Sequence, residues 1–517
     1  MDRRKFIKNT GAFITLPILL NGQAIQVLGA NSGFNVEQTD GKVLVLIQLD
    51  GGNDGLNTII PLDMYDNLAK VRPEVVLPEN KIISLTDLQG LHPMMQKIKE
   101  MYDEEKMMFL QNVGYPTPNL SHFRSKEIVL AASDSQTVIS SGWFGRYLDT
   151  LHPDYPDDYP SDTNPHPIAI SIGSNSSPTC QGNVSNFGVV LKRLDSSYES
   201  PSGEQEFPDT PYGFELEYVA QIMKSTEKYL EVVSETAELS DSISEHWPED
   251  NSLADRLKIV ARLITGGLTT PVYVVNLGGF DTHANQVVAG ETESGKHADL
   301  MKYVSEAVYA FQDELKQHQK EDDVISLVYS EFGRRVASNK SYGTDHGEAY
   351  PMMLFGSQVN PVVFGENPTI SASVEGKTNV PFKIDFRSVY ASILNQWFRV
   401  DKAEINNLLL GEFENLPILK SVVSIDDNLD DSNKLKIMPV YPNPVTNDAQ
   451  IQFFSEGGQI SLKLYSLSGK ELRNLAAGKF PRGNQFIAFS RKGLNSGQYL
   501  LVLQNAKERV SQKIIIQ

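Results

Sequence analysis

An α/β domain with a mostly parallel sheet sandwiched by helices, followed by a small C-terminal all-β sandwich, is the architecture this sequence predicts. Three observations carry it. Between about residues 40 and 422, short runs of Val, Leu and Ile alternate with longer segments whose apolar residues recur at helical spacing. A polar, acidic stretch at 423–436, poor in apolar residues, then reads as a linker. From 437 to 517 the chain becomes short alternating strands separated by turn residues.

Taken in order, residues 1–30 stand outside the fold. Their basic start, apolar middle (Ala12–Leu20) and small residues near the end form an export signal, and the middle is too short to span a bilayer. The run Arg3-Arg4-Lys5-Phe6 resembles a twin-arginine signal. Whether by that route or by an ordinary signal, the chain is expected to leave the cytoplasm. No transmembrane segment is expected in the mature chain. Cys180 is the only cysteine, which rules out an intramolecular disulfide. The formal net charge of -19, from 46 Lys+Arg against 65 Asp+Glu, argues against nucleic acid as a partner. A small anionic substrate stays compatible, because a bound cation reverses the local field.

The strand candidates of the large domain are "VLVLIQLD" (43–50), "PIAISIG" (167–173), "TPVYVVNLGG" (270–279) and "DVISLVYSEFG" (323–333). Helices are predicted over 253–267, 297–318 and 385–398. The stretches 152–167 and 195–213, rich in Pro, Asp and Ser, read as surface insertions.

Polar residues concentrate where the strands end. Asp50 closes the first, "GGFDTHANQ" brings Asp281 and His283 after another, and "SEFGRR" brings Glu331 after a third. "GTDHGEAYPMMLFG" then sets Asp345 and His346 before an apolar run. Open α/β sheets bind ligands at the carboxyl ends of their strands. Asp, Glu and His gathered there form a ligand set for a divalent metal, Zn²⁺ or similar. In "TPNLSHFRSKEIVLAAS", Ser121 stands at a helix start, either as an N-cap or as a hydroxyl nucleophile activated by the metal. His122 is either a further ligand or a general acid. Arg124 either holds an anionic oxygen or is an ordinary helix arginine, and Arg334 carries the same ambiguity.

Two resemblances follow from these motifs. Through "LDGGNDGLNT", "SHFRS", "GGFDTHANQ", "SEFGRR" and "TDHGEAYPMMLFG", the segment from about Val43 to Leu419 resembles the bacterial family called domain of unknown function 1501. That family is similar to the alkaline phosphatase and sulfatase superfamily. The resemblance implies that Asp50 is the first metal ligand and Ser121 the nucleophile, with Asp281, His283 and His346 as later ligands. One departure stands out: Phe332 occupies a position where the superfamily commonly has a histidine ligand. Either Asp345 moves in or a second metal is weakly held or absent, so one or two ions are expected. The tail, through "YPNPVTN", "YSLSGKEL", "LNSGQYLLVL" and "QKIIIQ", resembles the C-terminal sorting domain of the type IX secretion system. It implies the export machinery and the outer-membrane secretion apparatus as partners, and a location at the cell surface or outside the cell after transit through the periplasm.

The functional expectation is an exported metal-dependent hydrolase of phosphate or sulfate esters, acting on a small anionic ester or polymer. Its rival is a secreted or surface binding protein that keeps the metal site without catalysis. A metal-free glycosidase using two carboxylates leaves the histidines without a role.

Overall fold

The computed structural model describes residues 18–20, 23–25, 41–157, 159–194, 207–420, 435–437, 440, 445, 448–466, 470–505 and 509–517. The export signal read at 1–30 lies outside these residues, apart from a short antiparallel pair, Ile18–Leu20 with Gln23–Ile25. The linker read at 423–436 lies outside them except for its last two residues. The chain divides after Ser421 into two compact units.

The larger unit is built on a nine-stranded sheet, whose strands are numbered here within that sheet. They are β1 (Val43–Asp50), β2 (Met107–Gly114), β3 (Ala169–Ile172), β4 (Gly188–Leu191), β5 (Val272–Gly278), β6 (Val324–Ser330), β7 (Tyr350–Phe355), β8 (Val363–Phe364) and β9 (Ile384–Asp385). The spatial order is β8-β2-β7-β6-β1-β5-β3-β4, with β9 also paired to β2. Only β7 runs against the rest, pairing antiparallel with both β6 and β2. The α/β class with a mostly parallel sheet is therefore what the chain adopts.

Strand β1 is the central strand, and its composition explains why. Val43, Val45, Ile47 and Leu49 enter one core beneath the helices Ser252–Thr265 and Lys296–Gln317. Leu44 and Leu46 enter the opposite core with Trp143, Phe144, Val389 and Tyr390. A strand buried on both faces needs apolar residues at every position, so it reads as an unbroken apolar run. Gly278 pairs with Asp50, and Ser330 with Leu49, so β1, β5 and β6 end level with one another. Three loops leave the same sheet edge together.

Two stretches depart from their reading as insertions. Residues 195–206 lie outside the described part, but Thr210 caps a 28-residue helix, Pro211–Glu238, that delivers Tyr229, Val233 and Ala237 to the core. Pro211 at the first helical position fits that start, since its missing N–H would have been unpaired there anyway. In 152–167, Tyr155 and Tyr159 pack against the second core, and Tyr155 lies 4.5 Å from Phe187 between ring centroids. Strand β2, buried along all eight residues, belongs to the sheet although it was not among the predicted strands.

In the smaller unit, the strands are fewer and longer than the short alternating runs predict. Asp448–Ser466 and Glu471–Ser490 pair antiparallel along nearly their whole length, joined by Gly497–Gln504, Arg509–Ile516 and Lys436–Ile437. Ile451 and Phe453 from one end of the first long strand share a core with Leu462 and Leu464 from its other end. One sheet therefore bends over on itself to make the all-β sandwich. The bend falls near Gly457 and Gly458, whose φ of 90° and 108° suit glycine.

Candidate metal centre

The loop after β5 and a two-stranded ribbon meet the start of a helix at the strand ends. The ribbon pairs Arg334–Asn339 with Gly343–His346, placing His346 opposite Arg334. The helix is His122–Ala131, with Ser121 as its N-cap. Three histidines and one aspartate converge where these elements meet.

Asp281 is the hub. Its Oδ1 lies 3.2 Å from His346 Nε2 and 3.3 Å from His283 Nε2, and those two nitrogens are 2.9 Å apart. Its Oδ2 lies 3.5 Å from His122 Nε2. His122, Asp281 and His346 offer ligand atoms all within 4.8 Å of one another.

Each imidazole is turned by a partner behind it. His346 Nδ1 donates to the Leu120 carbonyl at 2.8 Å, which can only accept, so Nδ1 carries the proton. His122 Nδ1 meets Glu331 Oε1 at 2.8 Å, and that oxygen also accepts the Gly51 N–H at 2.9 Å. His283 Nδ1 meets Asp345 Oδ1 at 3.2 Å. Partners of this kind fix which ring nitrogen carries the proton. In the neutral rings, all three Nε2 lone pairs then point at the Asp281 carboxylate. His122 Nε2 is buried and has no hydrogen-bond partner. Acceptors that face one another this closely repel unless positive charge lies between them. Donors about 2.0–2.1 Å from a tetrahedral ion are separated by about 3.3–3.4 Å. The spacings at Asp281 Oδ1 are of that order, so these residues fit a divalent metal.

Charge around the hub is fixed by arginine. Arg334 is fully buried; it donates Nε to Gly52 O, Nη1 to Thr344 O, and Nη2 to Gly51 O, Phe280 O and Asp281 Oδ1. It ties the ends of β1 and β5 to the ribbon and stands beside the carboxylate. Partial burial works against ionisation of Asp281, but the hydrogen bond and the charge of Arg334 outweigh it and hold the carboxyl at about 2. Burial likewise opposes the Asp345 charge, and bonds from Asn339 and His283 outweigh it, so its pKa is lowered. Burial lowers the His346 pKa.

The residues singled out in the sequence fall into three places. Asp281, His283 and His346 meet at the hub, and His122 joins them. Glu331 and Asp345 stand behind the imidazoles and aim them. Asp50 lies apart: its Oδ1 accepts from Lys126 Nζ at 2.8 Å and Gln48 Nε2 at 2.8 Å, its Oδ2 from Asn276 at 3.0 Å. Ser121 is exposed, and its hydroxyl makes no capping bond. It sits between Leu120, whose carbonyl holds His346, and His122. Arg124 turns away, donating to the carbonyls of Asp134, Ser135 and Thr137 and pairing with Glu127 at 3.0 Å. The Phe332 ring packs against both the His122 and His346 rings, at 4.9 and 4.6 Å, and those two rings meet each other at 4.4 Å.

Two residues that sequence reasoning passed over have roles here. Lys126 lies one helical turn after His122, and that i, i+4 spacing was the available signal. Gln286, fully buried, accepts from Thr282 and Thr344 at 3.0 and 2.7 Å and donates to Asp54 at 2.6 Å. Thr282 lies between Asp281 and His283, and Thr344 two residues before His346, so Gln286 locks the two histidine-bearing segments together. Asp54 is itself held by Arg72, with both side chains buried and Nη2–Oδ2 at 3.1 Å.

Fold and centre together define an α/β protein with a histidine–aspartate cluster at the carboxyl edge of its sheet. Residues 41–409 match the family described as "Protein of unknown function (DUF1501)", and the chain belongs to that family. Residues 439–517 match the secretion system C-terminal sorting domain. That tail marks the chain for export by the type IX machinery to the cell surface or the extracellular space. No curated protein matches the chain. Among solved structures it is similar to a protein in the alkaline phosphatase superfamily from Vibrio parahaemolyticus, with 11% identity, a TM-score of 0.34, and coverage of 92% of this chain and 82% of that one. A sulfatase from Pseudoalteromonas sp. aligns with 13% identity and a TM-score of 0.29, covering 87% and 83%. An alkaline phosphatase from the Antarctic bacterium TAB5 aligns with 10% identity and a TM-score of 0.24, covering 61% and 91%. Likenesses of this size carry no conclusion about activity. Among the described residues, no helix is long and apolar enough to cross a membrane.

Proposed function

We propose that the large domain is a metal-dependent hydrolase of phosphate or sulfate esters that works outside the cytoplasm. The observation that carries the reading is the set of imidazoles whose Nδ1 atoms are tied back, so that their Nε2 atoms face one carboxylate. Asp281, His283 and His346 hold the ion, which supplies Lewis-acid stabilisation of negative oxygen. Asp281 and His283 are about half exposed, so one side of the centre is open to a substrate. Ser121, exposed beside the cluster, is the nucleophile: its Oγ bonds to phosphorus or sulfur as the ester oxygen leaves. His122, with its Nδ1 held by Glu331 and its Nε2 free of hydrogen bonds, takes the Ser121 hydroxyl proton on Nε2 as Oγ attacks and passes it to the leaving ester oxygen. Water then cleaves the serine ester.

A second reading has its own observation. Four donors, with His122 as the fourth, close a tetrahedral site and leave no position for substrate, as structural zinc sites do. The chain would then be a surface binding protein stabilised by metal. The test is a panel of phosphate and sulfate esters with metal-loaded wild-type protein and Ser121→Ala. Turnover by the wild type that falls at least about 100-fold in the variant, with metal content unchanged, supports the hydrolase. Wild-type protein that is loaded but inert across the panel favours the binding role.

A further inference from the structure

We propose that this centre takes one divalent cation, and that the Lys126 ammonium, seated on Asp50, fills the place a second would need. The inference rests on the metal reading above. Two carboxylates at the strand ends, Asp50 and Glu331, supply no ligand atom to the cluster of His122, Asp281 and His346, and both are already engaged. Asp50 Oδ1 is covered by Lys126 and Gln48, and Oδ2 by Asn276. Glu331 Oε1 accepts from Gly51 N–H and faces His122 Nδ1, and its Oε2 lies 3.2 Å from Ser330 Oγ. An ion bridging these two carboxylates would have to displace an ammonium and break the bond that aims His122. The Phe332 ring, packed against His122 and His346, offers no ligand atom on that side.

The charge balance points the same way. Four carboxylates line the strand ends, and three are paired with fixed cations: Asp50 with Lys126 at 2.8 Å, Asp281 with Arg334 at 2.9 Å, and Asp345 with Arg335 at 3.5 Å. Glu331 contributes the one negative charge that these pairs leave over. A single divalent ion turns the pocket to one net positive charge, suited to an anionic ester. A second would raise it to three, with the carboxylates already spent on Lys and Arg. Lys126 reaches this position because it lies one helical turn beyond His122, on the same face of the helix.

The test is stoichiometry. The full chain, stripped with a chelator, is titrated with Zn²⁺ by calorimetry, and retained zinc is counted by elemental analysis after dialysis. One equivalent per chain is expected. Two equivalents overturn the inference and leave the metal reading standing; none overturns the metal reading and this inference with it. Asp50→Asn provides the second arm, with thermal melting as the check that it folds. Zinc affinity should change by less than about tenfold, the lower end of what removing even an outer partner costs. A greater loss in the folded variant places Asp50 among the ligands and refutes the proposal.

Discussion

Replacing Asp281 by asparagine separates the metal centre from the fold that carries it. The substitution keeps size and shape but removes the negative charge that faces His122, His283, His346 and Arg334. For stability, the relevant partner is buried Arg334. It loses one charge-assisted bond out of five contacts, keeping the carbonyls of Gly51, Gly52, Phe280 and Thr344. A bond to a charged group is worth about 1.5–3 kcal/mol, and the half-exposed carboxylate is screened by water, which brings the cost down to about 1 kcal/mol. For the metal, the same change removes the only anionic donor at the hub. Loss of an outer partner typically costs about 10–100-fold in affinity, so loss of this direct ligand should cost at least about 100-fold. The assay pairs urea unfolding of the metal-free proteins with competition against a chromophoric chelator. Wild-type affinity in the variant would refute the assignment of Asp281 as a ligand. Collapse of the metal-free variant would refute the separation of fold from site.

Other consequences follow from the buried network behind the centre and from the tail. Arg72→Met leaves Asp54 charged and buried without its partner, and should destabilise the large unit by about 3–5 kcal/mol, measured by urea unfolding. Burial lowers the pKa of His297 to about 4 and that of His92 to about 3, so both are neutral in the folded protein at pH 7. The unfolded chain binds these protons first. Stability should therefore be full above about pH 6.5 and decline as pH falls towards 4, by on the order of 3 kcal/mol for His297 alone. His297→Gln should flatten that decline, and an unchanged slope would exclude His297 as its source. Deleting residues 437–517 should leave the protein in the periplasm, as followed by cell fractionation; surface delivery of the shortened chain would contradict the sorting role.

The parts of this structure that were legible in the sequence are those whose chemistry is local. Strand β1 could be read because burial on both faces demands an unbroken apolar run. The meeting of Asp281, His283 and His346 could be read because open α/β sheets gather polar side chains at their strand ends. The division of labour among the acids could not, because it depends on contacts far along the chain. Nothing local to Asp50 signals its ion pair with Lys126, 76 positions later in the sequence. Nothing local to Glu331 signals that Gly51 and His122 share its Oε1. Arg124 sits in a motif with His122 but serves the turn at 134–137. The helix Pro211–Glu238 was obscured by the polar, Pro-rich stretch that leads into it, and its core contacts fall late, at Tyr229 and beyond.

The most direct test of the metal centre is the anomalous scattering of crystals soaked in zinc, recorded on either side of the metal's absorption edge. Coordination by Asp281, His283 and His346 requires a peak in the large unit bounded by Asp281 Oδ1 and the Nε2 atoms of His283 and His346, on the side facing His122 Nε2. Zinc-loaded crystals with no peak there, or with the peak at Asp50 instead, would contradict it.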